Sequence, residues 1–227
     1  MQSTEHLARL TITVIRQLLS ALDSTVRSYH PEVTRTGGCL SKLINGTAFF
    51  PGGTGLWRGP EPFGNLPEYF PDSPVMFVGH NFDSVRAYMA AMKNGGEGCS
   101  PFWKNLLGYL DLSNTRPSDC FFTNALMGLK PGSALGDMPS VHGYEDECEA
   151  FLALQIDIVQ PSLVVALGGK ARKRLAKLKP RFPCAHLMHP SAREFRALTT
   201  RDGRISAQAE ILARARTMAR YHEIERR

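Results

Sequence analysis

A chain of 227 residues that is 43% hydrophobic can bury one sizeable core, so disorder is excluded as the default state; no apolar run is long enough to span a membrane. The five cysteines, Cys39, Cys99, Cys120, Cys148 and Cys184, are odd in number and show no C-x-x-C spacing, which argues against a disulfide framework and against a standard zinc site. Net charge is +6 but uneven: from Pro161 onward sixteen Lys and Arg stand against five Asp and Glu, a balance that suits either a polyanion such as DNA or RNA or a set of solvated helix faces.

In chain order, Leu7, Leu10, Val14, Leu18, Leu22 and Val26 recur at helical spacing and predict a helix from Leu7 to Tyr29, ended by His30-Pro31. Residues 36–74 are rich in Gly, Pro and aromatics without a period, and read as an irregular layer pinned by its aromatic side chains. Four short apolar runs follow, at Val75–Val78, Cys120–Thr123, Leu163–Leu167 and Ala185–Met188. None alternates, which is how parallel strands buried on both faces look. Helical stretches separate them at Ser84–Lys93, Phe102–Leu110, Tyr144–Val159 and Lys170–Leu178, and a basic amphipathic helix closes the chain at Ser206–Arg226. Alternating β and α segments predict a three-layer α/β/α fold around a central four-stranded parallel sheet. A single domain over residues 1–227 is expected, with an N-terminal helical and irregular extension of about 70 residues.

In such sheets ligands bind beyond the carboxyl ends of the strands. The residues there are Gly79-His80-Asn81-Phe82-Asp83, then Asn124-Ala125, then Gly168-Gly169-Lys170, then His189-Pro190-Ser191-Ala192. Two Asn, two His, an Asp and paired Gly are thus expected around one cleft.

In type and order these pieces resemble the uracil-DNA glycosylase superfamily. That superfamily carries G-x-x-P-G or G-Q-D-P-Y after its first strand, Asn after its second and H-P-S after its last. Phe121-Phe122-Thr123-Asn124-Ala125 resembles its I-T-N-A-V strand, and Val164–Gly168 its I-V-A-L-G. Ser100-Pro101-Phe102 is similar to the R-P-F of the thermophilic branch. The first motif departs from the pattern: His80 stands for Glu or Gln, Phe82 for Pro, and Asp83 for Gly or Tyr, while Asn81 matches the mismatch-specific and single-strand-selective branches. In the cluster-bearing branches four Cys hold iron and sulfur. Here Cys148 matches one place, Gly128 occupies another and Cys39 lacks its partner, so neither a cluster nor any other cofactor or metal is expected.

The resemblance implies a monofunctional hydrolase, a monomer, that flips uracil or another deaminated base out of DNA and cuts its N-glycosidic bond in base-excision repair. With no apolar run of membrane-spanning length and no signal-peptide order at the N-terminus, a cytoplasmic, nucleoid-associated protein is expected. Such a reaction passes through an oxocarbenium-like sugar with charge growing on the departing base. His189 would donate to that base as an oxyanion stabiliser. Asn124 would read the uracil edge, Phe102 would stack on the base and Gly79 would line the pocket. Asn81 would hold the water, with Asp83 as its assistant and His80 third. Gly168, Gly169, Lys170, Arg172, Ser191 and Arg193 would meet the DNA, Arg193 at the place of the family's gap-filling wedge. Lys170, Arg172, Lys173, Arg174, Lys177, Lys179 and Arg181 form an acid-free run for phosphates, with Arg172 and Arg174 as its expected contacts. No Lys falls where it would attack the sugar, so lyase activity is not expected. Two other readings stand beside this one: a catalytically silent nucleic-acid- or nucleotide-binding protein of the same fold, which the altered first motif favours, and an enzyme acting on a free nucleotide, which the basic C-terminal third disfavours.

Overall fold

The computed structural model describes residues 13–14, 16–18, 20–33, 49–51, 71–81, 84–86, 101–132, 138–179, 182–192, 195 and 198–226. The expected roles of Phe82, Asp83 and Arg193, nearly all of the irregular layer, most of the helix expected at Ser84–Lys93, and both Cys39 and Cys99 lie outside these residues.

Five strands form one sheet: β1 (Phe49–Pro51), β2 (Val75–Asn81), β3 (Cys120–Leu126), β4 (Leu163–Leu167) and β5 (Cys184–Leu187). Their order is β1-β3-β2-β4-β5. The four expected strands are mutually parallel. β1 is an addition within the stretch read as irregular, and pairs antiparallel with β3 from Phe49 opposite Thr123 to Pro51 opposite Phe121. It covers the edge that β3 would otherwise expose, and an edge strand is where a Pro is tolerated.

Strand period two explains the burial. Met76, Val78, Phe121, Val164 and Ala166 enter one core layer, while Val75, Phe77, Phe122, Val165 and Leu167 enter the other. Both faces of the sheet are apolar, so both need helices. Helix α1, seen over residues 13–14, 16–18 and 20–25, contributes Leu18 and Leu22 to the first layer. It is joined there by α3 (Tyr144–Val159) through Phe151 and Leu152 and by α4 (Gly169–Lys177) through Leu175. The second layer is closed by α2 (Pro101–Leu112) through Leu106 and Tyr109, and by α5 (Leu198–Arg226) through Ile205 and Leu212. The architecture is the expected α/β/α sandwich. Helix α5 begins eight residues before the Ser206 expected from the sequence.

Helix α1 stops at residue 25, short of the expected Tyr29, and the reason is a side chain from α3. Glu147 accepts the backbone N–H groups of Arg27 and Ser28 at 2.7 Å each and the Ser28 hydroxyl at 2.7 Å. Those donors therefore leave the helical ladder. A second acid of α3 binds α4: Glu149 accepts Arg174 at 2.8 Å and Lys177 at 2.7 Å, while Arg174 also reaches Glu145 at 2.6 Å. The Arg174 side chain is only 14% exposed, so it is a strut between two helices rather than an outward phosphate contact, which corrects the sequence expectation for it.

Both glutamates are held ionised below the ordinary value of 4.5. Burial works against the charge, but bonds from Ser28 and Arg27 outweigh it at Glu147, and bonds from Lys177 and Arg174 outweigh it at Glu149. Their stabilising contribution is therefore present above the unfolded carboxylate pKa and lost as pH falls through the depressed folded values. Chemical unfolding followed by circular dichroism should show stability declining on acidification below about pH 4.5, and Glu149→Gln should flatten part of that decline. By the same assay, Phe151→Ala, which removes a fully buried ring, should destabilise the protein by about 3–5 kcal/mol.

Candidate active site

The order β3-β2-β4-β5 sets Asn124, then Gly79 to Asn81, then Gly168-Gly169, then His189 along one carboxyl edge. At ordinary strand spacing this edge is roughly 14 Å wide. Gly79 lies in register with Asn124, and Asn81 with Leu126. After the two undescribed residues of the first motif the chain is held again. Ser84 bridges to Lys130, and the Val85 N–H donates to the Lys130 carbonyl at 3.0 Å.

Alternation along β2 separates the three residues of the first motif that the structure describes. Gly79 and Asn81 follow Val75 and Phe77 to the α2/α5 face, whereas His80 follows Met76 and Val78 to the other. Asn124 follows Phe122 to the α2/α5 face as well. A Cβ at Gly79 would collide with Asn124 Oδ1, so the glycine is what lets that amide lie where it does; a larger residue would displace it. Asn124 thus leans over a backbone stripped of its side chain.

His189 is placed by three contacts. Gly168 has φ +86° and ψ 168°, a conformation reserved for glycine, and a Cβ there would stand 2.9 Å from His189 Cβ. The Phe102 ring lies 5.4 Å from the imidazole, tilted by 54°. The Ser191 backbone N–H donates to His189 Nδ1 at 3.1 Å. An Nδ1 that accepts cannot carry the proton, so the neutral ring holds it on Nε2. Burial pushes the His189 pKa down, which favours this neutral form. Phe102 is itself backed by Trp103, edge-on at 5.3 Å, and Trp103 by Phe122 at 5.0 Å.

The Gly168-Gly169 turn opens α4, and the Arg172 N–H closes its first turn on the Gly168 carbonyl. Gly169, Lys170, Arg172 and Ser191 are exposed. His186, exposed on β5 and expected from the sequence only as part of that strand, joins this group. Its pKa is lowered by burial and then by the nearby Arg172 guanidinium.

Sequence reasoning also missed the polar anchors behind His189. The Asn105 side chain donates from Nδ2 to the Pro190 carbonyl at 2.7 Å and accepts from Arg201 Nε at 3.0 Å. Gln208 Oε1 accepts the Met188 N–H at 2.7 Å. The signal was present, since Asn105 is a polar residue buried in the apolar stretch of α2 and Gln208 is one buried in α5.

The described residues do not supply a thiolate set for an iron–sulfur cluster. Cys120 and Cys148 are buried free thiols, and Cys184 is free and exposed. Burial pushes the Cys148 thiol up to about 11. Gly128 has φ +90°, a conformation a cysteine would rarely adopt. Among the described residues no group of three or more His, Cys, Asp and Glu stands close enough to hold a metal ion. Nor is any helix among them long and apolar enough to cross a membrane.

This edge, with Asn on the second parallel strand and His-Pro-Ser after the last, has its counterpart in a known family. The profile of the uracil DNA glycosylase superfamily matches residues 66–207, and the chain belongs to that superfamily. No curated protein matches it. Membership carries a DNA-repair function of the glycosylase type in general terms and DNA as the substrate.

Two outcomes test this geometry. Followed by NMR, His189 should titrate below the ordinary histidine value of 6.5, and the Ser191 amide should shift with the same midpoint, because protonation at Nδ1 breaks their bond. Gly168→Ala should destabilise the fold by about 1–3 kcal/mol from backbone strain alone, and should move the His189 ring resonances as the added methyl displaces the imidazole.

Proposed function

We propose that the protein is a monofunctional glycosylase that hydrolyses the N-glycosidic bond of uracil, and of other deaminated bases, flipped out of DNA. The observation that carries this reading is the Ser191 N–H bond to His189 Nδ1, which leaves Nε2–H as the donor of a neutral imidazole. A departing uracil is an anion spread over its ring oxygens, and a fixed neutral donor stabilises charge as it develops without first having to lose a proton. The oxocarbenium-like sugar is electrophilic and asks only for a positioned water. Asn81 shares the α2/α5 face with Asn124, which supports it over His80 as the water holder. Asp83 remains its proposed assistant. Asn124, with one donor and one acceptor on its amide, can meet the O4 and N3–H edge of uracil, and it discriminates against cytosine when the amide is held in that orientation. Phe102, beside His189, offers the stacking face, with Gly79 lining the pocket.

His189→Ala should lower the rate on uracil-containing oligonucleotide, scored by alkaline cleavage of abasic sites, by about 100- to 1000-fold. Asn81→Ala should be severe and His80→Ala mild. Wild-type protein that binds DNA but leaves uracil and a panel of other deaminated bases uncut would establish the silent reading instead.

The DNA contacts we propose are Gly168, Gly169, Lys170, Arg172, Ser191 and Arg193, with Arg172 as the cation to test. Arg172→Glu should reduce the slope of log affinity against log salt by about one unit, as expected when one phosphate is no longer neutralised. Arg174→Glu should instead lower stability, because it sets a carboxylate against Glu145 and Glu149.

A further inference from the structure

β5 ends at Leu187, so the backbone on either side of His189 has left the sheet ladder. Its polar groups must find other partners. On one side the Met188 N–H donates to Gln208 of α5. On the other the Pro190 carbonyl accepts from Asn105 of α2. The Met188 carbonyl also faces the Tyr109 hydroxyl at 3.5 Å, a long contact from a phenol that burial keeps protonated. Asn105 is 5% exposed and Gln208 8%, so water cannot readily replace either bond.

The orientation of the Asn105 amide is forced. A backbone carbonyl can only accept and a guanidinium can only donate. With Arg201 donating to Oδ1, the Nδ2 group is turned to Pro190. Arg201 therefore aligns Asn105, and Asn105 aligns the loop.

We propose that Asn105 and Gln208 are positioning residues for His189, so that two helices on one face of the sheet, rather than the strand before it, set where the imidazole stands. The inference rests on the role proposed above for His189, and its geometric part can be read without activity. Gln208 lies on α5 one residue past the stretch matched by the family, while Asn105 and Arg201 lie within it.

The test uses the full chain and three variants. Gln208→Leu keeps the bulk and removes the acceptor, Gln208→Glu keeps an acceptor oxygen, and Arg201→Lys releases Asn105 Oδ1 at a less buried position. Steady-state rates on uracil-containing DNA are paired with NMR of the His189 ring and the Ser191 amide. For Gln208→Leu, kcat should fall by up to about 100-fold, the cost of a misplaced catalytic group, with KM within about twofold. The His189 and Ser191 resonances should move with it. Gln208→Glu should restore kcat and both resonances, and Arg201→Lys should move the same resonances by less. Equal losses in the Leu and Glu variants, or unmoved His189 and Ser191 resonances in a folded Gln208→Leu, would overturn the proposal. If Gln208→Leu does not fold, unmoved resonances in Arg201→Lys overturn it and moved ones support it. Should the wild type leave uracil uncut, the function fails alone, and the resonances still decide whether the helices position the ring.

Discussion

A strand buried on both faces can offer only its ends to a ligand, and that constraint shapes this molecule. β2 and β4 occupy the middle of the sheet, with apolar side chains driven into a helical layer above and another below. Nothing polar fits along their length at reasonable cost. Gly79, Asn81 and Gly168 therefore appear where the strands run out, and neighbouring strands in register bring Asn124 and His189 to the same edge. The site is where the core ends, and its width is fixed by strand spacing.

Precision at that edge comes from two sources of different character. Glycines supply close approach: Gly79 makes room for the Asn124 amide, and Gly168 makes room for the imidazole. Side chains from the α2/α5 layer supply the opposing hold on the loop after β5. The same layer provides the Phe102–Trp103–Phe122 wall. The α1/α3/α4 layer is tied together instead by Glu147 and Glu149.

The parallel strands were legible because their apolar runs need no partner to be recognised, and their carboxyl-end residues followed from fold logic. β1 was not legible: three residues in a Gly- and Pro-rich stretch become a strand only because β3 has an edge to cover. The end of α1 was misread because its last donors are taken by an acid more than a hundred residues away. The basic run beginning at Lys170 looked like one surface. Arg174 is turned inward, because the acids that neutralise it sit on another helix and sequence distance hides them. Asn105 and Gln208 were passed over for a related reason: the polar side chains were visible, but the Pro190 carbonyl and Met188 N–H they hold are backbone, which carries no signature in the sequence.

The crowding between position 168 and the imidazole also has a direction. His189 can shrink while Gly168 stays, since removing atoms from the ring only opens space. Gly168 cannot easily grow at either stage: the closest contact is with His189 Cβ, which any replacement except glycine keeps, and its positive φ penalises any side chain as well. Change at these two positions is therefore one-sided: the ring can be lost freely, while the glycine stays costly to replace whatever follows the histidine. A lineage that abandoned this chemistry would be expected to keep the glycine long after the histidine, as a fossil of the ring that once leaned on it.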